Sequence, residues 1–172
     1  MKRTFEYELE RNIKRLSLLD LPGGGQVVVQ GDYAYVGHMK PPHGTSIIDI
    51  SDPLLPATVG NVDTEAVVYH VKVRGNHAYR ANNVFGMDVV DISDKAAPEI
   101  VGEVDAPGRA YCVDVAGDYA FLSDGEWGLF SIDITDPTDP YIVGFMDTFH
   151  NCRSVTLDGS YAYVGDEEHG LY

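Results

Sequence analysis

The chain has 172 residues, of which 44% are hydrophobic, so it is long enough to bury the core of one domain. Its 27 acidic and 12 basic residues give a formal net charge of −15, which suits a soluble surface and disfavours nucleic acid and anionic membranes as partners. No apolar stretch approaches the roughly 20 residues of a spanning helix, so membrane insertion is not expected.

The N-terminal residues divide into two parts. Residues 1–11 are charged and lack strand periodicity, which predicts an arm that is either a short helix or disordered. Residues 12–21 are predicted to form an outer strand, because LSLLDLPG at 16–23 parallels VGEVDAPG at 101–108. Neither part has the apolar core of a signal peptide, and the two cysteines do not identify a compartment, so the localisation stays open.

Four nearly identical heptapeptides then follow along the chain. They are GDYAYVG, GNHAYRA, GDYAFLS and GSYAYVG, and they begin at Gly31, Gly75, Gly117 and Gly159. Each glycine is preceded by an alternating segment such as QVVVQ and followed by another such as DYAYV, which predicts a tight hairpin. Third strands such as TSIIDIS and fourth strands such as ATVGNVD complete a repeat of about 42 residues, which leaves no room for a helix.

Such repeats predict the blades of an all-β propeller, because a lone four-stranded sheet cannot bury both faces. We expect blades at 26–62, 68–104 and 110–146, a partial blade at 152–172, and a propeller domain over 12–172. The turns DISDP (49–53) and DITDP (133–137) place Asp before Pro, so the Asp should accept a backbone N–H. The second repeat has DISDK (91–95) and must form this turn without proline.

The segments SIIDISDPLLPATVG, DVVDISDKAAPEIVG and FSIDITDPTDPYIVG, each with a strand like GDYAYV, resemble LVIVD repeats of bacterial and archaeal β-propellers. The resemblance extends from about residue 12 to the C-terminus and implies a propeller fold with a binding role, without catalytic residues. The chain stops at HGLY, where the third blade reads WGLFSIDIT. Two interpretations are open: the N-terminal strand completes the last blade of a four-bladed ring, or the chain is a fragment of a larger propeller.

Two columns of residues at the start of each first strand vary, although the positions beside them are apolar in every repeat. The first column contains Gln26, His70, Cys112 and Ser154, and the second contains Gly25, Tyr69, Tyr111 and Arg153. First strands line the channel of a propeller, so we predict a ligand-binding site at the channel mouth formed by Tyr69, His70, Tyr111, Cys112 and Arg153. The alternative is that these side chains only fill the channel, with Cys112 as a small buried thiol.

Histidines from several blades suggest a second type of site. Five of the six, namely His38, His43, His70, His150 and His169, map to the rim that carries the loops between second and third strands, whereas His77 is interpreted as structural. A metal held by His38, His70 and His150 is therefore an alternative, although no compact ligand motif supports it.

These patterns favour a non-enzymatic binding module that uses the loop rim and channel mouth. The expected partner is a protein, a peptide, a glycan or a small polar ligand, and no cofactor and no catalytic residue is predicted. The alternatives are a metal-dependent propeller enzyme, of oxidoreductase or hydrolase type, and a purely structural repeat in a larger surface protein. We also predict an ion pair between Lys72 and Asp114, which occupy the same position on adjacent first strands.

Overall fold

The computed structural model describes residues 15–21 and 23–172, so the arm predicted for 1–11 lies outside the described residues. The described residues form fifteen strands and no helix, and therefore none that could cross a bilayer. The strands are arranged as antiparallel sheets in the order of the chain, and the fold is a four-bladed β-propeller.

Each of the first three blades is a four-stranded meander. The first blade contains β1 (Gly24–Gln30), β2 (Tyr33–His38), β3 (Gly44–Asp49) and β4 (Ala57–Asp63). The second contains β5 (His70–Arg74), β6 (His77–Ala81), β7 (Met87–Asp91) and β8 (Glu99–Val104). The third contains β9 (Cys112–Ala116), β10 (Tyr119–Ser123), β11 (Leu129–Asp133) and β12 (Tyr141–Met146). The fourth contains β13 (Cys152–Asp158), β14 (Tyr161–Asp166) and the short β15 (Gly170–Leu171).

The hairpin between the first two strands is the same in every blade. Its first loop residue is the glycine that begins the repeated heptapeptide, and Gly31 and Gly75 both have a φ of 59°. Glycine adopts a positive φ without strain, whereas a residue with a side chain would strain the backbone at this position. The repeated glycine is therefore explained by the hairpin alone.

The predicted aspartate turns between third and fourth strands are also confirmed. Asp52 accepts the N–H of Leu54 at 2.9 Å, and Asp136 accepts that of Thr138 at the same distance. In the second blade Asp94 accepts the N–H of Ala96 at 2.9 Å, so the turn forms without proline. These carboxylates therefore have a structural role in shaping the turn.

The core lies between adjacent blades. Tyr35 and Ile47 of the first blade pack against Val71 and Val90 of the second. The same contact recurs between the second and third blades, where Tyr79 and Val89 meet Val113 and Ala120. The alternation of large rings and alanines in each second strand thus serves packing between sheets, as a propeller requires.

The outer strand predicted for 12–21 stays a prediction, and residues 12–14 lie outside the described residues. Residues 15–21 belong to no sheet. Leu19 and Leu21 instead pack against Ala34, Val36 and Ile48 on the outward face of the first blade. A segment needs a neighbouring strand edge to form a ladder, and the nearest blade offers it only a face.

Candidate functional site

An open cleft of about 480 Å³ lies on the rim where the loops between second and third strands meet the connections between blades. Its lining comes from several loops: Val84, Pro107, Gly108, Arg109, Tyr111, Gly125, Glu126, Trp127, Asn151 and Arg153. Clefts of this volume accommodate small ligands or a few residues of a peptide. An adjoining hollow of about 300 Å³ shares Glu126 and Asn151 and adds His150, Glu167 and Glu168, so it is mainly acidic.

Two of the five predicted site residues, Tyr111 and Arg153, line this cleft. The guanidinium carbon of Arg153 lies 4.2 Å from the centre of the Tyr111 ring, a cation–π arrangement. Arg153 also donates hydrogen bonds from Nε and Nη2 to Glu167 Oε2, and this pairing raises the pKa of the guanidinium further. Arg153 is thus held by two partners but still faces the cleft.

Tyr69 supports the cleft from behind. Its ring lies 5.1 Å from that of Tyr111 and is tilted by 40°. Tilted rings at this distance attract each other and fix each other's orientation. The tyrosines predicted from the second column therefore contact each other, and Tyr111 gives the cleft a rigid aromatic wall.

His70 and Cys112, the other two predicted site residues, lie deeper than the cleft. Burial lowers the pKa of His70, and this effect outweighs that of the nearby Asp114 carboxylate, which raises the pKa. Cys112 is buried, its thiol donates to Val155 O at 3.5 Å, and burial raises its pKa. Gln26, at the same position of the first blade, accepts the N–H of Val71 at 2.8 Å. The side chains of Gln26 and Cys112 thus both make a hydrogen bond to the backbone of the first strand of the next blade.

A further column of polar side chains fixes the loops that form the rim. These side chains are buried and stand at the end of each second strand or directly after it, at His38, Asn82, Asp124 and Asp166. Asn82 accepts a hydrogen bond from Thr64 Oγ1 at 2.9 Å, and Asp124 Oδ2 accepts the N–H of Gly108 at 2.7 Å. Burial raises the pKa of Asp124 to about 6, against the effect of that hydrogen bond. The loops of the second and third blades are thereby tied to the connections that enter those blades.

The model of the LVIVD repeat matches residues 24–64, 68–106, 107–148 and 151–172, which together make up most of the chain. The chain belongs to the LVIVD repeat family. Each matched segment contains one of the four sheets, so the family repeat and the blade coincide. No curated protein matches the chain in sequence.

Solved structures similar to this LVIVD protein show the same fold at low sequence identity. The computationally designed Ika4 protein is 8% identical, with a TM-score of 0.76 over 94% of this chain and 97% of its own. The designed Ika8 protein is 7% identical, with a TM-score of 0.69 over 87% of this chain and 45% of its own. BamB from Moraxella catarrhalis is 11% identical, with a TM-score of 0.65 over 86% of this chain and 42% of its own. The LVIVD chain thus spans less than half of the latter two.

The structure does not bring the histidines of the alternative metal site together with further ligands among the described residues. In the parts of the LVIVD chain that the structure describes, no group of three or more His, Cys, Asp or Glu side chains could hold a metal ion. His38 is buried, and its Nε2 and Nδ1 lie 3.0 Å from Ser46 Oγ and 3.1 Å from Pro42 O. His150 stacks on His169 with ring centres 4.4 Å apart, and its Nδ1 lies 3.2 Å from Glu168 Oε2.

Sequence reasoning missed two residues of the cleft, Arg109 and Asn151. Both lie on connections between blades, where the repeat has no fixed periodicity, so no column pointed to them. Arg109 is exposed and makes no ion pair with any residue that the structure describes. The positive charge of Arg109 in a chain of net charge −15 is the one signal in the sequence that points to it.

Proposed function

We propose that this LVIVD propeller is a non-enzymatic interaction module that binds a segment of a partner protein in the cleft beside Trp127. The observation that carries the proposal is the convergence of Tyr111, Trp127, Arg109 and Arg153, which come from three separate segments of the chain, on one open cleft. Tyrosine, tryptophan and arginine are the residues that most often dominate the binding energy of protein interfaces. Trp127 is more than half exposed, so a partner that covers it gains the burial of a large apolar side chain.

The charges of the cleft favour a segment that carries a carboxylate. Arg109 has no acidic partner among the described residues, whereas Arg153 is already paired with Glu167. A carboxylate of the partner would thus pair with Arg109, in a geometry that suits two parallel hydrogen bonds. Elsewhere the acidic surface repels acidic ligands, so binding is expected at this cleft and weakens as salt is added.

The single tryptophan of the chain provides the test, because it is Trp127. Peptides selected from a random library displayed on phage should change its fluorescence on binding. Replacing Arg109 by Ala should weaken the binding of the selected peptides by about tenfold or more, as expected for a charge-assisted contact of about 1.5 kcal/mol. The matched control is Arg74→Ala, because Arg74 is exposed but lies at the hairpin end of β5, away from the cleft.

Two results would overturn the proposal. One is that no peptide can be selected on the folded protein. The other is that the selected peptides bind the Arg109→Ala, Trp127→Ala and wild-type proteins with equal affinity, which would place the interaction elsewhere on the propeller. Titration calorimetry measures these affinities, because Trp127→Ala removes the fluorescence signal.

A further inference from the structure

The inner part of the first blade's outward face, at β1, is left uncovered by the described residues, whereas Leu19 and Leu21 pack on its outer part. Val27 and Val29 of β1 are 56% and 57% exposed, whereas their equivalents in the second blade, Val71 and Val73, are 0% and 9% exposed. Val71 and Val73 are covered because the first blade packs on them. The face of β1 is therefore built to receive a preceding blade.

The fourth blade has the complementary uncovered face. Tyr163 is 41% exposed, whereas the equivalent Tyr35 is 0% exposed because it lies against the second blade. Strand β1 packs along β5, β5 along β9 and β9 along β13, but no comparable packing of described residues joins β13 to β1. The exposed face of the first blade and the exposed face of the fourth blade are thus the two sides of one further contact between blades.

The fourth blade also lacks a fourth strand among the described residues. In the first three blades, a glycine at the start of the third strand packs so closely on the fourth strand that a Cβ would collide with a carbonyl oxygen. The pairs are Gly44 with Val62, Gly86 with Val104, and Gly128 with Met146. Gly170 has the same positive φ, at 84°, but no described atom lies within 4 Å of the position of its Cβ.

Residues 15–21 occupy the position of a fourth strand of a blade that would precede the first. Ser17 is at the position that Gly102 has in β8, the fourth strand of the second blade. Gly102 packs against the carbonyl of Pro137 in the next blade, and Ser17 donates a hydrogen bond of 2.7 Å to the equivalent carbonyl, that of Pro53. Residues 15–21 belong to no sheet and their backbone makes no hydrogen bond to another described residue, so this segment has a backbone edge free to pair. Leu18 is 79% exposed.

We propose that two copies of the chain join head to tail into a ring of eight blades. The first blade of each copy covers the Tyr163 face of the other, and its residues 16–21 add a fourth strand to β15. The contact continues an interface that the chain already forms between its own blades, with the same residue types on both sides. The pairing of β11 with β12 gives the register, because Phe130 faces Phe145 there. Tyr172 is the equivalent of Phe130 in the fourth blade, and Leu18 is the equivalent of Phe145 in the N-terminal segment. Tyr172 should therefore face Leu18 of the second copy.

The alternative occupant is the chain's own N-terminal segment, which would close a ring of four blades. Two of the three structural comparisons favour the larger ring. The four blades superpose on 45% of Ika8 and 42% of BamB with TM-scores of 0.69 and 0.65. The four blades thus fit within chains about twice as long, and in this chain β13 and β1 lack the packing that joins neighbouring blades.

The first experiment measures the mass of the 172-residue protein in solution by sedimentation equilibrium. We expect twice the 18.8 kDa of one chain at micromolar concentration. Val27→Lys with Val29→Lys should give single chains, because a lysine pair buried in the seam is strongly unfavourable. Tyr163→Lys, on the opposite face, should do the same. The matched control is Val84→Lys, because Val84 is also 53% exposed but lies in the second blade.

The second experiment tests whether the fourth strand of the fourth blade comes from a second copy or from the same chain. A variant with Leu18→Cys and Tyr172→Cys is oxidised and separated on a denaturing gel without reductant. We expect a covalent dimer, because both new thiols lie at exposed positions and face each other only between copies. A cross-link within one chain would instead show that the protein's own N-terminal segment closes the ring.

Several outcomes would overturn the two-copy ring. A single-chain mass for the wild type, or a mass of three or more copies, contradicts it directly. If only one of the two lysine variants dissociates, the interface joins identical faces and is not head to tail. Circular dichroism of the variants separates loss of association from loss of folding, and the wild-type mass decides the matter even if a variant unfolds.

Discussion

Lys72 of β5 and Asp114 of β9 form an ion pair between neighbouring blades, with Nζ 2.6 Å from Oδ1. The other carboxylate oxygen of Asp114 accepts the N–H of Leu157 in β13 at 2.9 Å, so one side chain links three first strands. Burial alone would raise the pKa of Asp114, but the hydrogen bonds from Lys72, Leu157 and Val115 hold it below its usual value. The pair predicted from equal positions on adjacent strands is confirmed.

The first prediction concerns the strength of this pair. Because the Lys72 side chain is 38% exposed, solvent screens the attraction, and a double-mutant cycle with Lys72→Met and Asp114→Asn should give a coupling energy of about 0.5 to 1 kcal/mol. Urea unfolding of the wild type, both single variants and the double variant measures it. A coupling energy indistinguishable from zero would mean that the contact only fills space.

A second ion pair, which sequence reasoning missed, should matter far more. Arg80 is fully buried and donates from Nε and Nη2 to the two oxygens of Asp88, each at 2.6 Å, and from Nη1 to Val62 O of the first blade at 3.1 Å. Asp88→Asn leaves the guanidinium without its counter-charge, so we expect a loss of about 3 kcal/mol or more in the free energy of unfolding.

The control for that prediction is Asp118→Asn in an exposed hairpin, which should change the free energy of unfolding by less than about 0.5 kcal/mol. The double replacement Arg80→Met with Asp88→Leu should cost less than Asp88→Asn alone, because it removes both charges together. If Asp88→Asn unfolds at the same urea concentration as the wild type, the buried pair does not hold the two blades together.

The third prediction is a pH dependence that originates at Asp124. Its pKa is about 6 in the folded protein, above the ordinary value of 3.8, so between these values the folded state holds a proton that the unfolded state has lost. The stability from Asp124 is thus fully present at low pH, is lost as the pH rises through about 6, and is constant above that.

Replacing Asp124 by Asn removes this dependence, because the amide oxygen still accepts the N–H of Gly108 without a buried charge. The free energy of unfolding of the variant, measured relative to that of the wild type, should rise by roughly 1 to 2 kcal/mol from about pH 4 to pH 7. Asn82 shows that the fold accepts an amide at the same position of the second blade. A stability difference that stays constant from about pH 4 to pH 7 would contradict the assignment.

The fold was predictable from the sequence because every blade obeys the same constraints. The hairpin at Gly31, the turn at Asp52 and the packing of Tyr35 each recur, so the period of the chain revealed them. Arg80 and Asp88 occur in one blade only, and a pair without a repeat leaves no periodic signal. The segment 15–21 resembles a fourth strand in sequence, but pairing also needs a neighbouring edge, which a sequence does not show.

The candidate site was predictable only in part, for a related reason. Variation in a column was interpreted as freedom from packing. Tyr111 and Arg153 do line the cleft, but Gln26 and Cys112 vary because each reaches a different group of the next blade. Arg109 and Asn151 lie on irregular connections, whose path depends on contacts between blades. Their placement therefore required coordinates.

The last prediction separates a buried role for Cys112 from a ligand-contacting one. Cys152 is fully buried, and burial raises its pKa to about 12, while burial also raises the pKa of Cys112. At about pH 8 a thiol with a pKa of about 12 is ionised in roughly one molecule in 10,000, and only the thiolate attacks a disulfide reagent. We therefore expect that neither cysteine of the native protein reacts with Ellman's reagent within minutes, whereas both react at once in denaturant. Rapid reaction of one thiol that disappears in the Cys112→Ser variant would show that Cys112 is open to the channel mouth. That result would place Cys112 among the residues that a ligand touches, together with Tyr111 and Arg153.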